Sequence, residues 1–310
     1  MTEQSGDGSL NKRPTFGQWL KISWPDLLTY LVMGAIGLTV FNLPPAQTRR
    51  FRVYTFDGSI SSPEIAYPYE KAHIPTWLSA LLSLTVPTIV FLLLQIRVRS
   101  FWDFNNAIFG MLYALLTAAV FQVILKWIIG GLRPHFLAVC QPDIPRIISG
   151  SQLGTGYDGM YYEASICTGD RARIKEALQS FPSGHTAAAF STGLFTTLYL
   201  NAKLKLWANC RPVYWKLIVA LLPLLGGVLI GGQLIIDGYH HWYDVIAGAG
   251  IGIVTGIGAY RTVYAGVWDW RCNHIPLVRS CPYEHAHLQG ASATRKASWR
   301  GAAATESNAT

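Results

Sequence analysis

The sequence predicts an all-α polytopic membrane protein built as a bundle of six transmembrane helices. Two observations lead there. Charged residues make up only 14% of the 310-residue chain, and hydrophobic residues 51%. An ordinary soluble domain carries about a quarter charged residues to cover its surface, so much of this surface must face lipid. A bilayer core takes about twenty apolar residues to cross, and six stretches qualify: roughly 26–44, 76–96, 106–130, 185–202, 215–236 and 241–264.

Taken in order, residues 1–17 are polar and the apolar run from Pro25 is long enough to span, so no cleavable signal is expected. The second stretch contains Pro87 and the fifth Pro223, which packed neighbours in a bundle can tolerate. The third ends in a polar exit beginning at Lys126. The fourth is the least apolar, holding Ser191, Thr192, Thr196 and Thr197. The last two are rich in glycine, including Gly227, Gly231, Gly248, Gly252 and Gly256, and such small residues let helices approach closely. These divisions give an N-terminal segment (1–24), a six-span domain (25–267) and a tail (268–310). The tail is expected to be largely disordered, from about Ala286 onward.

Basic residues orient the bundle. Lys203, Lys205, Arg211 and Lys216 lie between spans four and five, Arg97 and Arg99 follow span two, and Arg261, Arg271 and Arg279 open the tail. No Lys or Arg falls between Leu217 and Tyr260. The positive-inside rule then places both termini in the cytosol, and the 45–75 and 131–184 loops with the turn at Asp237–His241 on the lumenal or extracellular face. Arg49, Arg50 and Arg52 run against this assignment. The Asn308 sequon falls on the cytosolic side, so no glycan is expected. The net charge of +8 is scattered over loops and tails without a basic stripe, which argues against nucleic acid. Five irregularly spaced cysteines suit neither a disulfide scaffold nor a zinc site. Cys140 and Cys167 fall in one loop on the oxidising side, where either a disulfide or two free thiols is consistent.

Three polar clusters meet at one end of this bundle, and ionisable groups at membrane depth mark function by default. Lys126 and Arg133 are seven residues apart, two helical turns, so both can face one side and hold an anion. Pro182-Ser183-Gly184-His185 opens span four: Ser183 suits an N-cap, Gly184 permits close approach, and a helix N-terminus presents free N–H groups to an anion. Near the start of span six, His240 and Asp244 are spaced i, i+4 and His241 and Asp244 i, i+3, so spacing leaves open which histidine pairs with the carboxylate. Each cluster alone has a plain structural reading: cations snorkelling to headgroups, an ordinary capped helix, an interfacial ion pair. Their convergence on one face is what points to a phosphate site.

These residues resemble the lipid phosphate phosphatases, the integral-membrane type 2 phosphatidate phosphatase family. That family is marked by Lys-x6-Arg-Pro, Pro-Ser-Gly-His and Ser-Arg-x5-His-x3-Asp. Lys126, Arg133 and Pro134 match the first motif, Pro182–His185 the second, and His240 and Asp244 the third. The similarity extends over roughly residues 25–265. It implies the helical fold shared with vanadium haloperoxidases. It also implies a metal-independent reaction without cofactor on phosphatidate, diacylglycerol pyrophosphate or a related lipid phosphate drawn from the membrane. His240 would be the nucleophile, Asp244 its orienting carboxylate, and His185 the general acid and base. Lys126, Arg133 and the N–H groups of Ser183 and Gly184 would bind phosphate. The family's Ser-Arg is Gln233-Leu234 here. A charge-assisted hydrogen bond is worth about 1.5–3 kcal/mol, so losing that arginine would cost about one to two orders of magnitude in rate. A cation from elsewhere (Arg146, Arg171 or His241) is one answer, with His241 and Gln233 as candidate supports. A catalytically impaired lipid-phosphate-binding homologue and a head-group transferase are the alternatives. Homo-oligomers are compatible with the sequence, which does not select an oligomeric state.

Overall fold

The computed structural model describes residues 13–45, 49–53, 62–148 and 154–277. Helices α1 (Phe16–Asn42), α2 (Thr76–Val98) and α3 (Phe101–Ile128) lead into a long connection holding three short helices, α4 (Phe136–Cys140), α5 (Ile144–Ile148) and α6 (Arg171–Ala177). Helices α7 (Gly184–Leu204), α8 (Tyr214–Ile236) and α9 (Trp242–Val263) complete the bundle. Among the described residues, extended pairing is confined to isolated bridges.

Two helices start earlier than apolarity suggests, because caps rather than hydrophobic runs set their ends. At α1, Thr15 and Gln18 exchange side chain–backbone bonds of 3.0 and 3.4 Å, a capping box that starts the helix ten residues before 26 and leaves Pro25 inside it. At α3, the Ser100 hydroxyl accepts from Asp103 N.

Helices α1, α2, α3, α8 and α9 are long and apolar enough to cross a membrane. The sixth, α7, is not among them, and its surroundings explain its polarity. It packs against α2, α3, α8 and α9, and 14 of its 21 residues are buried. A helix walled by other helices needs little hydrocarbon-facing surface, and its hydroxyls find carbonyls: Thr196 bonds Thr192 O at 2.7 Å and Thr197 reaches Ala220 O on α8 at 2.8 Å.

The glycines of α9 set its distance from α7. A methyl placed on Gly248, Gly252 or Gly256 would stand 2.4, 2.7 and 2.8 Å from the carbonyl oxygens of Ser183, Ala187 and Ser191. The two backbones therefore touch along a stripe that repeats every four residues, with no room for a side chain. That contact brings the N-terminus of α7 beside the N-terminus of α9.

At the opposite end, the α3 carboxylate Asp103 is buried and accepts from Tyr199 and Tyr264 at 2.7 and 3.2 Å, from Gln95 at 2.8 Å and from Lys203. The chain beyond α9 folds back over this end. Leu277 N bonds Val263 O at 2.9 Å, Asn106 bonds Leu277 O at 2.8 Å and Tyr260 bonds Asn273 O at 2.7 Å. The expected tail thus opens with a folded strap to residue 277. The stretch read as disordered, and the Asn308 sequon within it, lie outside the described residues.

Candidate active site

The C-terminus of α3, the N-termini of α7 and α9 and the turn after α8 meet at one end of the bundle, and each cluster contributes there. After α3 the chain turns through Gly130 (φ +57°) and Gly131 (φ +143°), a backbone path that favours glycine. Residues 131–133 then run beside 177–180: Gly131 N bonds Leu178 O, Arg133 N bonds Ala177 O and Ser180 N bonds Gly131 O, all within 2.9–3.0 Å. This ladder holds Arg133 against the segment that leads into α7.

Arg133 is buried, and its Nη1 donates to Glu176 Oε1 at 2.9 Å while the guanidinium lies 5.1 Å from the Tyr239 ring centre. Its Nε is buried without a partner in the protein. Beneath it, His135 Nδ1 donates to Gly238 O at 2.9 Å. Burial, then the neighbouring Arg133 charge, pushes the His135 imidazole down to about 4, so it is neutral at physiological pH.

Ser183 caps α7, its hydroxyl accepting from Thr186 N at 3.5 Å and Thr186 Oγ1 at 3.0 Å. Its own N–H donates to Asp244 O at 3.0 Å. This corrects one expectation: the Ser183 N–H, read as a phosphate donor, is committed to joining α7 to α9. Gln122, one turn before Lys126, packs against Gly184; a methyl on that glycine would stand 2.9 Å from Gln122 Oε1. His185, in the first turn, has a buried Nε2 without a partner in the protein.

The open question of pairing is resolved by the turn after α8. The Leu234 carbonyl accepts from both Tyr239 N and His240 N, at 3.0 and 3.2 Å, and Gly238 takes a positive φ of 66°. This turn buries His240 and sets its Nδ1 3.5 Å from Asp244 Oδ2. His241 turns away: its Nε2 stands 3.1 Å from Leu132 O and its ring stacks on Tyr243. Asp244 Oδ2 also accepts from His241 N at 3.0 Å and from Ser180 Oγ at 2.5 Å. Ser180 sits within the Ser-Phe-Pro-Ser-Gly-His run, yet sequence reasoning gave it no role; a hydroxyl just ahead of the helix-capping motif was the available signal. Burial lowers the proton affinity of His240, and Lys126 and Arg133 add to that effect against the opposing Asp244, so the imidazole is neutral at physiological pH. Both cations act electrostatically on His185 and His240 alike.

The positions offered in place of the family arginine fare differently. Leu234 itself is fully buried. Arg171 is exposed on α6, and the side chain of Arg146 lies outside the described residues. Gln233 donates to Asp237 at 2.7 Å, and Asp237 also accepts from His73 N and Nδ1 at 3.0 and 2.8 Å. Gln233 therefore braces the turn after α8. Burial alone would raise the Asp237 carboxyl, but the bonds from His73 and Gln233 outweigh it and hold it below the usual range. Over the site, Cys140 and Cys167 are joined in a disulfide that fastens α4 to the chain before α6, within a small core of Phe51, Phe136, Ile166 and Ile174.

Residues 107–268, more than half of the chain, match the PAP2 superfamily. Lipid phosphate phosphatase 1 of Arabidopsis thaliana is 33% identical over 211 residues, 68% of this chain and 61% of that protein. A PA-phosphatase related-family protein of Dictyostelium discoideum is 30% identical over 255 residues, 82% of this chain and 72% of its own. Phospholipid phosphatase 2 of Rattus norvegicus is 34% identical over 240 residues, 72% of this chain and 79% of its own. No solved structure matches.

Proposed function

Because the chain belongs to the PAP2 superfamily, we propose that it is a membrane-embedded lipid phosphate phosphatase that hydrolyses a phosphate monoester or pyrophosphate through a phosphohistidine. The observation that carries this reading is the buried His240 with its Nδ1 turned to Asp244, beside two cations. That orientation leaves Nε2 as the attacking nitrogen, and the carboxylate stabilises the positive charge the ring acquires. Attack forms the N–P bond as the ester P–O bond breaks, and His185 gives its proton to the departing alkoxide. His185 then takes a proton from water, whose oxygen attacks phosphorus and releases orthophosphate and free His240. Lys126, Arg133 and the Gly184 N–H hold the equatorial oxygens, where charge develops. The lipid tails stay in the bilayer beside the bundle, and the site opens on the lumenal or extracellular side with both termini cytosolic.

Phosphate release from phosphatidate by the purified protein, measured with EDTA present, tests this. Release is expected, with His240→Ala abolishing it; hydrolysis surviving that change removes the proposed nucleophile. A second reading, a homologue that binds lipid phosphates with impaired turnover, is favoured by the apolar residue at Leu234. Binding without phosphate release in the same assay would select it.

A further inference from the structure

The cation expected to grip the substrate phosphate is already engaged. Arg133 donates to Glu176, a carboxylate on α6 held in register by the Arg133 N to Ala177 O bond. The pair is lopsided: the Arg133 side chain is 7% exposed and the Glu176 side chain 61%. One partner is fixed in the pocket wall and the other can swing into solvent. The Glu176 carboxylate, held on Arg133, also contributes its charge at Lys126, His135, His185 and Tyr239. A carboxylate and a phosphate make the same demand on a guanidinium, two oxygens on adjacent N–H groups, and two anions cannot share that place without repulsion.

We propose that Glu176 is a built-in competitor for the phosphate site: it occupies Arg133 when the site is empty, yields to the substrate headgroup, and returns as orthophosphate leaves. This rests on the phosphatase reading of the site. Orthophosphate and the lipid headgroup meet the same opposition, but only the lipid has tails whose burial offsets it. The device therefore weakens retention of the free product and disfavours water-soluble phosphate esters, leaving the apolar part of the molecule to decide what binds.

The test uses the full-length protein in detergent, comparing wild type, Glu176→Gln and Glu176→Asp. Orthophosphate binding is measured without turnover, as the dependence of the melting temperature on phosphate concentration, and separately as inhibition of phosphatidate hydrolysis. A half-exposed ion pair is worth at most about 1 kcal/mol, so Glu176→Gln is expected to bind orthophosphate about two- to fivefold more tightly, with KM for phosphatidate falling alongside. Glu176→Asp, which keeps the charge, should stay near wild type. Unchanged or weaker phosphate binding in Glu176→Gln overturns the proposal and makes Glu176 a positioning residue for Arg133. The thermal measurement needs no catalysis: phosphate binding that tightens in Glu176→Gln while wild type releases no phosphate from lipid would keep this inference and sink the phosphatase reading.

Discussion

Asp244 Oδ2 accepts from Ser180 Oγ at 2.5 Å and from His241 N at 3.0 Å, while His240 Nδ1, the nitrogen it is expected to orient, stands 3.5 Å both from that oxygen and from the Ser180 hydroxyl. The carboxylate is fully buried, and its second oxygen has no partner in the protein. A hydrogen bond to a charged group contributes about 1.5–3 kcal/mol, so Ser180 helps set how firmly Asp244 holds His240. We expect Ser180→Ala to lower kcat by about tenfold, the low end of that range. It should also move the acid limb of the pH profile upward, because the released carboxylate turns to the imidazole and raises its proton affinity. The sign follows from the titration of the proposed nucleophile: activity is expected while His240 is neutral and is expected to fail as pH falls through its depressed value. A kcat loss with the acid limb unmoved would show that Ser180 serves only to stabilise the fold.

Among elements, the α7–α9 contact governs the site, since it sets where Ser183 meets Asp244. A Cβ at Gly252 would stand 2.7 Å from the Ala187 carbonyl, from the Phe190 Cβ and from the Ser191 amide, while nothing lies within 4 Å of one at Gly258. Overpacking a tight contact costs about 1–3 kcal/mol. Gly252→Ala is therefore expected to lower thermal stability in detergent and to reduce activity by parting the two N-termini, with Gly258→Ala matching or slightly exceeding wild type. Equal melting temperatures for the two variants would mean that the helices separate without cost. The glycines were visible in the sequence as small residues on the last two spans. Which helix they touch was not, because a stripe of small residues marks a close contact without recording which helix lies across it.

Across the whole molecule, two polar assemblies close the bundle at its two ends: the candidate active site at one, and the Asp103 network with its folded-back strap at the other. Asp103 joins α2, α3, α7 and the residue after α9 through Gln95, Lys203, Tyr199 and Tyr264. Removing one partner of a buried ion pair costs about 3–5 kcal/mol because the other charge is left unpaired. Asp103→Ala should thus unfold at markedly lower temperature and lose activity only through that loss. A variant of wild-type stability would demote the network to incidental contacts.

Sequence alone determined the all-α membrane character, five of the helices that can span, and the residue types gathered at the candidate site, because these follow from composition and local spacing. It also supplied the family resemblance, through motifs short enough to be local. Tertiary structure decided the rest. The pairing of His240 instead of His241 depends on a turn closed by the Leu234 carbonyl. The commitment of the Ser183 N–H to Asp244, and of Arg133 to Glu176, depends on elements 61 and 43 residues distant. The strap at 264–277 and the polarity of α7 likewise make sense only once each has neighbours. Hydrogen bonds between segments are satisfied by whatever packing brings near, and no periodicity in the chain records that choice.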